Sequence, residues 1–266
     1  MYSLPFEPLE GQNTEQSTTD NDCFILTGLF FPPAGTKPNL KWQLYPRGMA
    51  DMSLSLPPKR LIAVLNYHHC LHMCDIAGIR LAALLAAEDL LANKQGYCIW
   101  MDADGVITSY ETIVELCNKL TRDNIKGFGL ALSMPLNYLN YYTYNVATYK
   151  IARALHIPIE ASEILFGGKD GKVLCLPGAV WGVHSSVLPE FRRAYANAME
   201  VMYQRFRMLS RGKLRSKKTV LQKGLRGVTD EPPILVAFKA LEHQGHKIHY
   251  EPHDGYLTLK LSLIHI

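Results

Sequence analysis

The sequence has no apolar run long enough to cross a membrane. Its longest apolar stretches, CFILTGLFF and LAALLAA, fall well short of the about 20 residues that a transmembrane helix needs. It also lacks the GxGxxG and GxxxxGKS/T patterns, which excludes the usual glycine-rich phosphate-binding loops. Its six cysteines are scattered, which excludes a regular disulfide framework and indicates reduced thiols in a cytoplasmic protein.

The two ends of the chain differ from its middle. Residues 1–22 are polar and lack the basic-then-apolar order of a signal peptide, so we expect a flexible tail there. Residues 261–266, LSLIHI, read like a translated sequencing adapter. We expect that segment to be a processing scar, in which case the natural chain is cut short at this point. A single folded domain is predicted over residues 23–260.

Runs of strand length alternate with longer helical stretches along this domain. Proline- and glycine-rich residues 32–58 predict a long irregular connection. Ser109 is the predicted N-cap of one helix, because its hydroxyl precedes an amphipathic stretch. The alternation predicts an α/β fold, a single Rossmann-like domain with a mainly parallel central sheet flanked by helices. Strands are predicted at residues 23–31, 60–68, 97–101, 127–134, 172–176, 180–184 and 246–252.

The segment CIWMDADGVITS at residues 98–109 ends an apolar strand with two acidic residues. Ligands of open α/β sheets bind where the strands end, and strand residues two apart point to the same side. Mg²⁺ binds one or two carboxylates together with diphosphate oxygens. The pattern therefore predicts a divalent metal site at Asp102 and Asp104, with Asp104 the more direct ligand.

The segment IWMDADGVI, which follows a long helix, resembles the D-x-D segment of GT-A fold glycosyltransferases. It is similar to glycogenin-like and galactosyl/mannosyl transferases. Three later segments follow the order of that family: PGAVWGVHSSVLPEF (177–191), TDEPPILVAF (229–238) and HYEPHDG (249–255). The resemblance implies a single GT-A-like domain that transfers a sugar from a nucleotide-sugar donor, with UDP as the expected nucleotide, to an unidentified acceptor.

The resemblance also implies roles for individual residues. His253 would join the two aspartates in a Mn²⁺ or Mg²⁺ site. Asp230 or Glu231 would act at the sugar, as general base in an inverting enzyme or by stabilising an oxocarbenium-like sugar in a retaining one. Asp230 and Glu231 also suit a purely structural role, because acidic residues are favoured at the N-terminus of a helix. The donor would be bound by Thr27, Arg80, Asp102, Ala103, Gly178 and Ala179.

The heptad DADGVIT also resembles the opening motif of haloacid-dehalogenase-type phosphatases, in which the first aspartate is a nucleophile. Asp102 would then attack a phosphate ester directly. About a hundred residues precede the motif here, whereas that family normally begins with this strand. The sequence leaves the phosphatase open as an alternative.

Residues 205–226 contain nine lysines and arginines and no acidic residue. A loop of this charge is expected either to close over the donor diphosphate or to hold a polyanionic acceptor. The acceptor classes left open are a glycan, a protein and a nucleic acid. A second alternative is therefore a non-catalytic protein that binds nucleic acid through this segment.

Overall fold

The computed structural model describes residues 22–31, 40–69, 73–103, 105, 107, 109–135, 139–160, 172–175, 180–211 and 231–252. The strands are β1 (Asp22–Phe31), β2 (Leu61–His69), β3 (Gly96–Met101), β4 (Gly127–Pro135), β5 (Lys172–Cys175), β6 (Val180–His184) and β7 (Ile248–Pro252). The helices are α1 (Leu40–Ser55), α2 (Met73–Leu91), α3 (Tyr110–Arg122), α4 (Leu139–Ala154), α5 (Leu188–Arg211) and α6 (Pro232–His243). Within these ranges, every helix is too short or too polar to span a lipid bilayer.

The seven strands form one sheet. Its order is β2-β1-β3-β6-β4-β5, and β7 pairs with the first half of β4. Strand β1 lies between β2 and β3 and runs parallel to both. The predicted α/β class is confirmed, since helices alternate with strands and pack against this sheet.

The predicted mainly parallel sheet is wrong, because the sheet is mixed. Strand β6 is antiparallel to β3 and to β4, and β5 is antiparallel to β4. The prediction of parallel pairing assumed a helix between successive strands, because parallel neighbours need a long crossover. Only four residues, 176–179, lie between β5 and β6, too few for a crossover helix, and both strands run antiparallel to β4.

Two hydrophobic cores lie on opposite faces of the sheet. Successive strand residues point to opposite faces, so Leu26 and Trp100 pack on one side while Ile25 and Ile99 pack on the other. Helices α2, α4, α5 and α6 cover the first face, and α1 and α3 cover the second. Burial on both faces explains why the central strands read as continuous apolar runs.

Helix α1 occupies most of the region that was predicted to be irregular. It contains Pro46 in its interior, which local propensity disfavours. Met52 in the helix and Leu56 just after it are buried in the same core as Ile25. Tertiary packing therefore overrides the local signal of proline and glycine in this segment.

Candidate functional site

Asp102 directly follows strand β3, at the end of its apolar run. All six residues of β3 are buried, whereas the side chain of Asp102 is 38% exposed. The parallel register pairs Leu26 with Trp100, so Asp102 leaves the sheet close to Thr27 and Gly28 of β1. The chain thus passes from the core to an accessible carboxylate within one residue, at the edge where α/β sheets bind ligands.

Two donors hold the same oxygen of the Asp102 carboxylate. The indole N–H of Trp100 donates to Oδ1 at 2.9 Å, and Nη2 of Arg80 lies 3.5 Å from that oxygen. The Arg80 side chain is only 3% exposed. The carboxylate is therefore held from the protein interior while part of it faces solvent.

Arg80 is a buried cation whose charge is compensated by its neighbours. Its guanidinium carbon lies 5.1 Å from the centre of the Trp100 ring, in cation–π range, and its Nη2 meets the carboxylate of Asp102. A buried charge is tolerated when it is paired and hydrogen-bonded. Arg80 was predicted to reach a donor phosphate; in the structure it contacts Asp102, and its role toward a phosphate stays a prediction.

Gly28 allows helix α2 to lie close enough for this contact. A Cβ at Gly28 would overlap Cγ2 of Ile79, the residue before Arg80, and would lie 3.1 Å from Cη2 of Trp100. Any larger residue would push α2 or the indole ring away from β1. The absence of a side chain at this position therefore lets Ile79 of α2 and the Trp100 ring lie close to β1.

A tight turn follows the strand. The backbone N–H of Gly105 donates to the carbonyl of Asp102 at 2.9 Å. A Cβ at Gly105 would lie 2.8 Å from Cγ of Met101, and Ala103 is 4% exposed. The D-A-D-G sequence therefore suits this turn, because a small residue and a glycine fit where the chain folds back on the strand.

Thr27 lies on β1 and points to the face opposite Leu26, toward the core formed with α1 and α3. Its side chain is fully buried, and its Oγ1 has no hydrogen-bond partner among the described residues. A buried hydroxyl without a partner is costly, so a polar group of a ligand or of another part of the chain would stabilise it. Its predicted contact with a nucleotide base stays a prediction.

Of the remaining predicted site residues, Glu231 lies within the described ranges. Glu231 stands at the N-terminus of α6, makes no capping hydrogen bond with its side chain, and is followed by Pro232 at the first helical position. Helix α6 packs against α4 and α5. Five predicted site residues lie outside the described ranges: Asp104, Gly178, Ala179, Asp230 and His253. Most of the basic segment, from residue 212 onward, also lies outside them.

The residues that the structure describes contain no group of three or more histidine, cysteine, aspartate or glutamate side chains close enough to hold an ion. Asp102 supplies one carboxylate, which fits Mg²⁺ or Mn²⁺ in the mode where one or two carboxylates act with substrate phosphates. Asp104 and His253, the other predicted ligands, lie outside this part of the chain.

Trp100 is the site residue that sequence reasoning missed. Its place in an apolar run predicts a core residue, although it stands two residues before Asp102 and so shares its side of the strand. That spacing was a usable signal. The partner 22 positions earlier, Arg80, required the packing of α2 to be known.

Comparisons with known proteins give little further information. No protein-family model and no curated protein matches the chain. One similar solved structure is described as a glycosyltransferase involved in the glycosylation of the major capsid of PBCV-1. It is 13% identical, with 91% of each chain covered and a TM-score of 0.35. A TM-score this low does not indicate a shared fold, so the chain's own residues carry the functional conclusion.

Proposed function

We propose that the protein is a metal-dependent glycosyltransferase that uses a nucleotide-sugar donor, with UDP as the expected nucleotide. The observation that carries the proposal is the Asp102 carboxylate, which is accessible, follows a fully buried strand and begins a D-x-D sequence. The resemblance of this segment to GT-A glycosyltransferases supports the same reaction class. The acceptor is a glycan, a protein or a nucleic acid.

In this proposal Asp102 and Asp104 would hold Mn²⁺ or Mg²⁺ at the donor site. The bound ion would supply the positive charge that stabilises a departing nucleoside diphosphate. Arg80 contributes a fixed cation beside Asp102 and balances its charge when no ligand is present. Because Arg80 is buried, it contacts Asp102 from the protein interior. The solvent-exposed part of the Asp102 carboxylate therefore stays accessible.

Asp230 or Glu231 acts at the transferred sugar in the same proposal. One of these carboxylates serves as general base for the acceptor hydroxyl if the reaction inverts the sugar, or stabilises the oxocarbenium-like sugar if it retains. Gly178 and Ala179 are small and would leave room for the sugar, and Ala103 would help to bind the donor. His253 completes the metal site.

The experiment is slow hydrolysis of a panel of UDP-sugars by the purified protein, with and without Mn²⁺. We expect UDP release only with the metal, and we expect Asp104→Asn to abolish it. Asp89→Asn is the control, because Asp89 is an exposed carboxylate on α2. Hydrolysis of an aryl phosphate with Mg²⁺, lost in Asp102→Asn, would instead identify a phosphatase, and salt-sensitive DNA binding without turnover would identify a nucleic-acid-binding protein.

A further inference from the structure

We infer that Trp100 is a positioning residue, whose indole N–H fixes the orientation of the Asp102 carboxylate for metal and diphosphate binding. The inference rests on the proposed function, because it assigns Asp102 to that site. Its observation is independent of the resemblance: Nε1 of Trp100 lies 2.9 Å from Oδ1 of Asp102. The side chains of Trp100 and Asp102, at the end of β3 and just after it, are therefore joined by a direct hydrogen bond.

The ring of Trp100 has little freedom to move. The residue is 3% exposed and stacks on Trp181, with ring centroids 6.1 Å apart and an angle of 10° between the planes. The guanidinium of Arg80 lies over the ring at 5.1 Å, and the backbone of Gly28 faces its Cη2. A donor that is fixed on all these sides fixes the direction of the carboxylate that accepts from it.

Trp100 and Arg80 act differently on a cation at Asp102. Both touch Oδ1, but Arg80 carries a full positive charge that repels a nearby metal ion. The indole N–H is neutral, so it orients the carboxylate with far less loss of attraction for a cation. Groups that hydrogen-bond a metal ligand in this way are worth about 10- to 100-fold in metal affinity.

Trp181 provides a matched control for Trp100. It is also a buried tryptophan, 1% exposed, in the same core cluster. Its indole Nε1 has no hydrogen-bond partner among the described residues. Replacing either tryptophan by phenylalanine removes a similar volume from one core, but only Trp100→Phe removes a hydrogen bond to Asp102.

The experiment is titration of Mn²⁺ in the presence of UDP, with free Mn²⁺ measured by electron paramagnetic resonance. We expect Trp100→Phe to weaken Mn²⁺ binding about tenfold or more, and Trp181→Phe to weaken it much less, because phenylalanine keeps an aromatic ring beside Trp100. Equal weakening in both variants would show that core packing is responsible, and unchanged binding in Trp100→Phe would show that the indole is dispensable. Either result overturns the inference.

A second measurement needs no metal and does not alter the core. The chain has three tryptophans, and so three indole N–H signals in a ¹⁵N–¹H correlation spectrum, which the two phenylalanine variants assign. Asp102→Ala should shift the Trp100 indole signal and leave that of Trp181 in place, and an unshifted Trp100 signal overturns the inference. A wild-type protein that binds no Mn²⁺ with UDP would refute the proposed function. The spectrum would still decide whether the Trp100 indole N–H is hydrogen-bonded to Asp102.

Discussion

His184 makes the stability of the fold depend on pH in the weakly acidic range. It ends strand β6 and is 3% exposed, with its ring edge against Tyr97 at 4.9 Å between centroids. The backbone N–H of Ser186 donates to its Nδ1 at 3.1 Å, a contact that requires Nδ1 to be unprotonated. Burial, and secondly the charge of Lys126, lower the pKa of His184 to about 4.

The size of this loss of stability follows from the pKa values of His184 in the unfolded and the folded state. The ordinary histidine pKa of 6.5 applies to the unfolded chain, and the pKa of about 4 applies to the folded protein. Below pH 6.5 the unfolded state takes up a proton that the folded state does not, so stability falls as the pH falls, until the folded state is also protonated. At about 1.4 kcal/mol for each pKa unit, the loss amounts to about 3 kcal/mol.

The assay is urea unfolding followed by tryptophan emission at several pH values from 7.5 downward. We compare the wild type with His184→Gln, whose amide oxygen can accept from Ser186 but does not titrate. The free energy of unfolding of the wild type should fall by about 3 kcal/mol more than that of the variant between pH 6.5 and about pH 4. Parallel curves for the two proteins across this range would refute a buried neutral His184.

Two further substitutions test the packing around the candidate site. Gly28→Ala should lower the free energy of unfolding by about 1–3 kcal/mol, because its Cβ would overlap Ile79; a wild-type urea midpoint would contradict the close approach of α2. Ser109→Ala should cost about 1 kcal/mol, because the Ser109 hydroxyl accepts from the N–H of Thr112 at 3.3 Å. Ser55→Ala is its control in the same urea assay, since that exposed hydroxyl donates to a carbonyl of its own helix. Equal costs would argue against a cap at Ser109.

Local signals predicted the elements that flank the site. Strand β3 is an apolar run between Gly96 and Asp102, and the predicted N-cap at Ser109 is confirmed by its hydrogen bond to Thr112. Such signals depend on neighbouring residues, so they can be read from the sequence. The direction of β6 could not be read in this way, because it depends on pairing with β3, about 80 positions earlier.

The candidate site likewise combines features that neighbouring residues determine with features that depend on distant contacts. Asp102 was predicted from its place after an apolar strand, and its side chain is 38% exposed in the structure; its role as a metal ligand stays a prediction. The contact with Arg80 depends on how closely α2 approaches β1, which Gly28 decides through its missing side chain. Helix α1 was missed for a related reason, since the burial of Met52 against the sheet outweighs the local effect of Pro46.

The most direct test of a metal and diphosphate site at Asp102 is a thermal unfolding measurement with UDP and Mn²⁺ together and separately. A ligand that binds only the folded protein raises its melting temperature, by an amount set by its concentration relative to its dissociation constant. UDP with Mn²⁺ should raise the melting temperature of the wild type, UDP alone should not, and Asp102→Asn should remove the increase. An unchanged melting temperature, or the same increase without metal or in Asp102→Asn, would contradict the site.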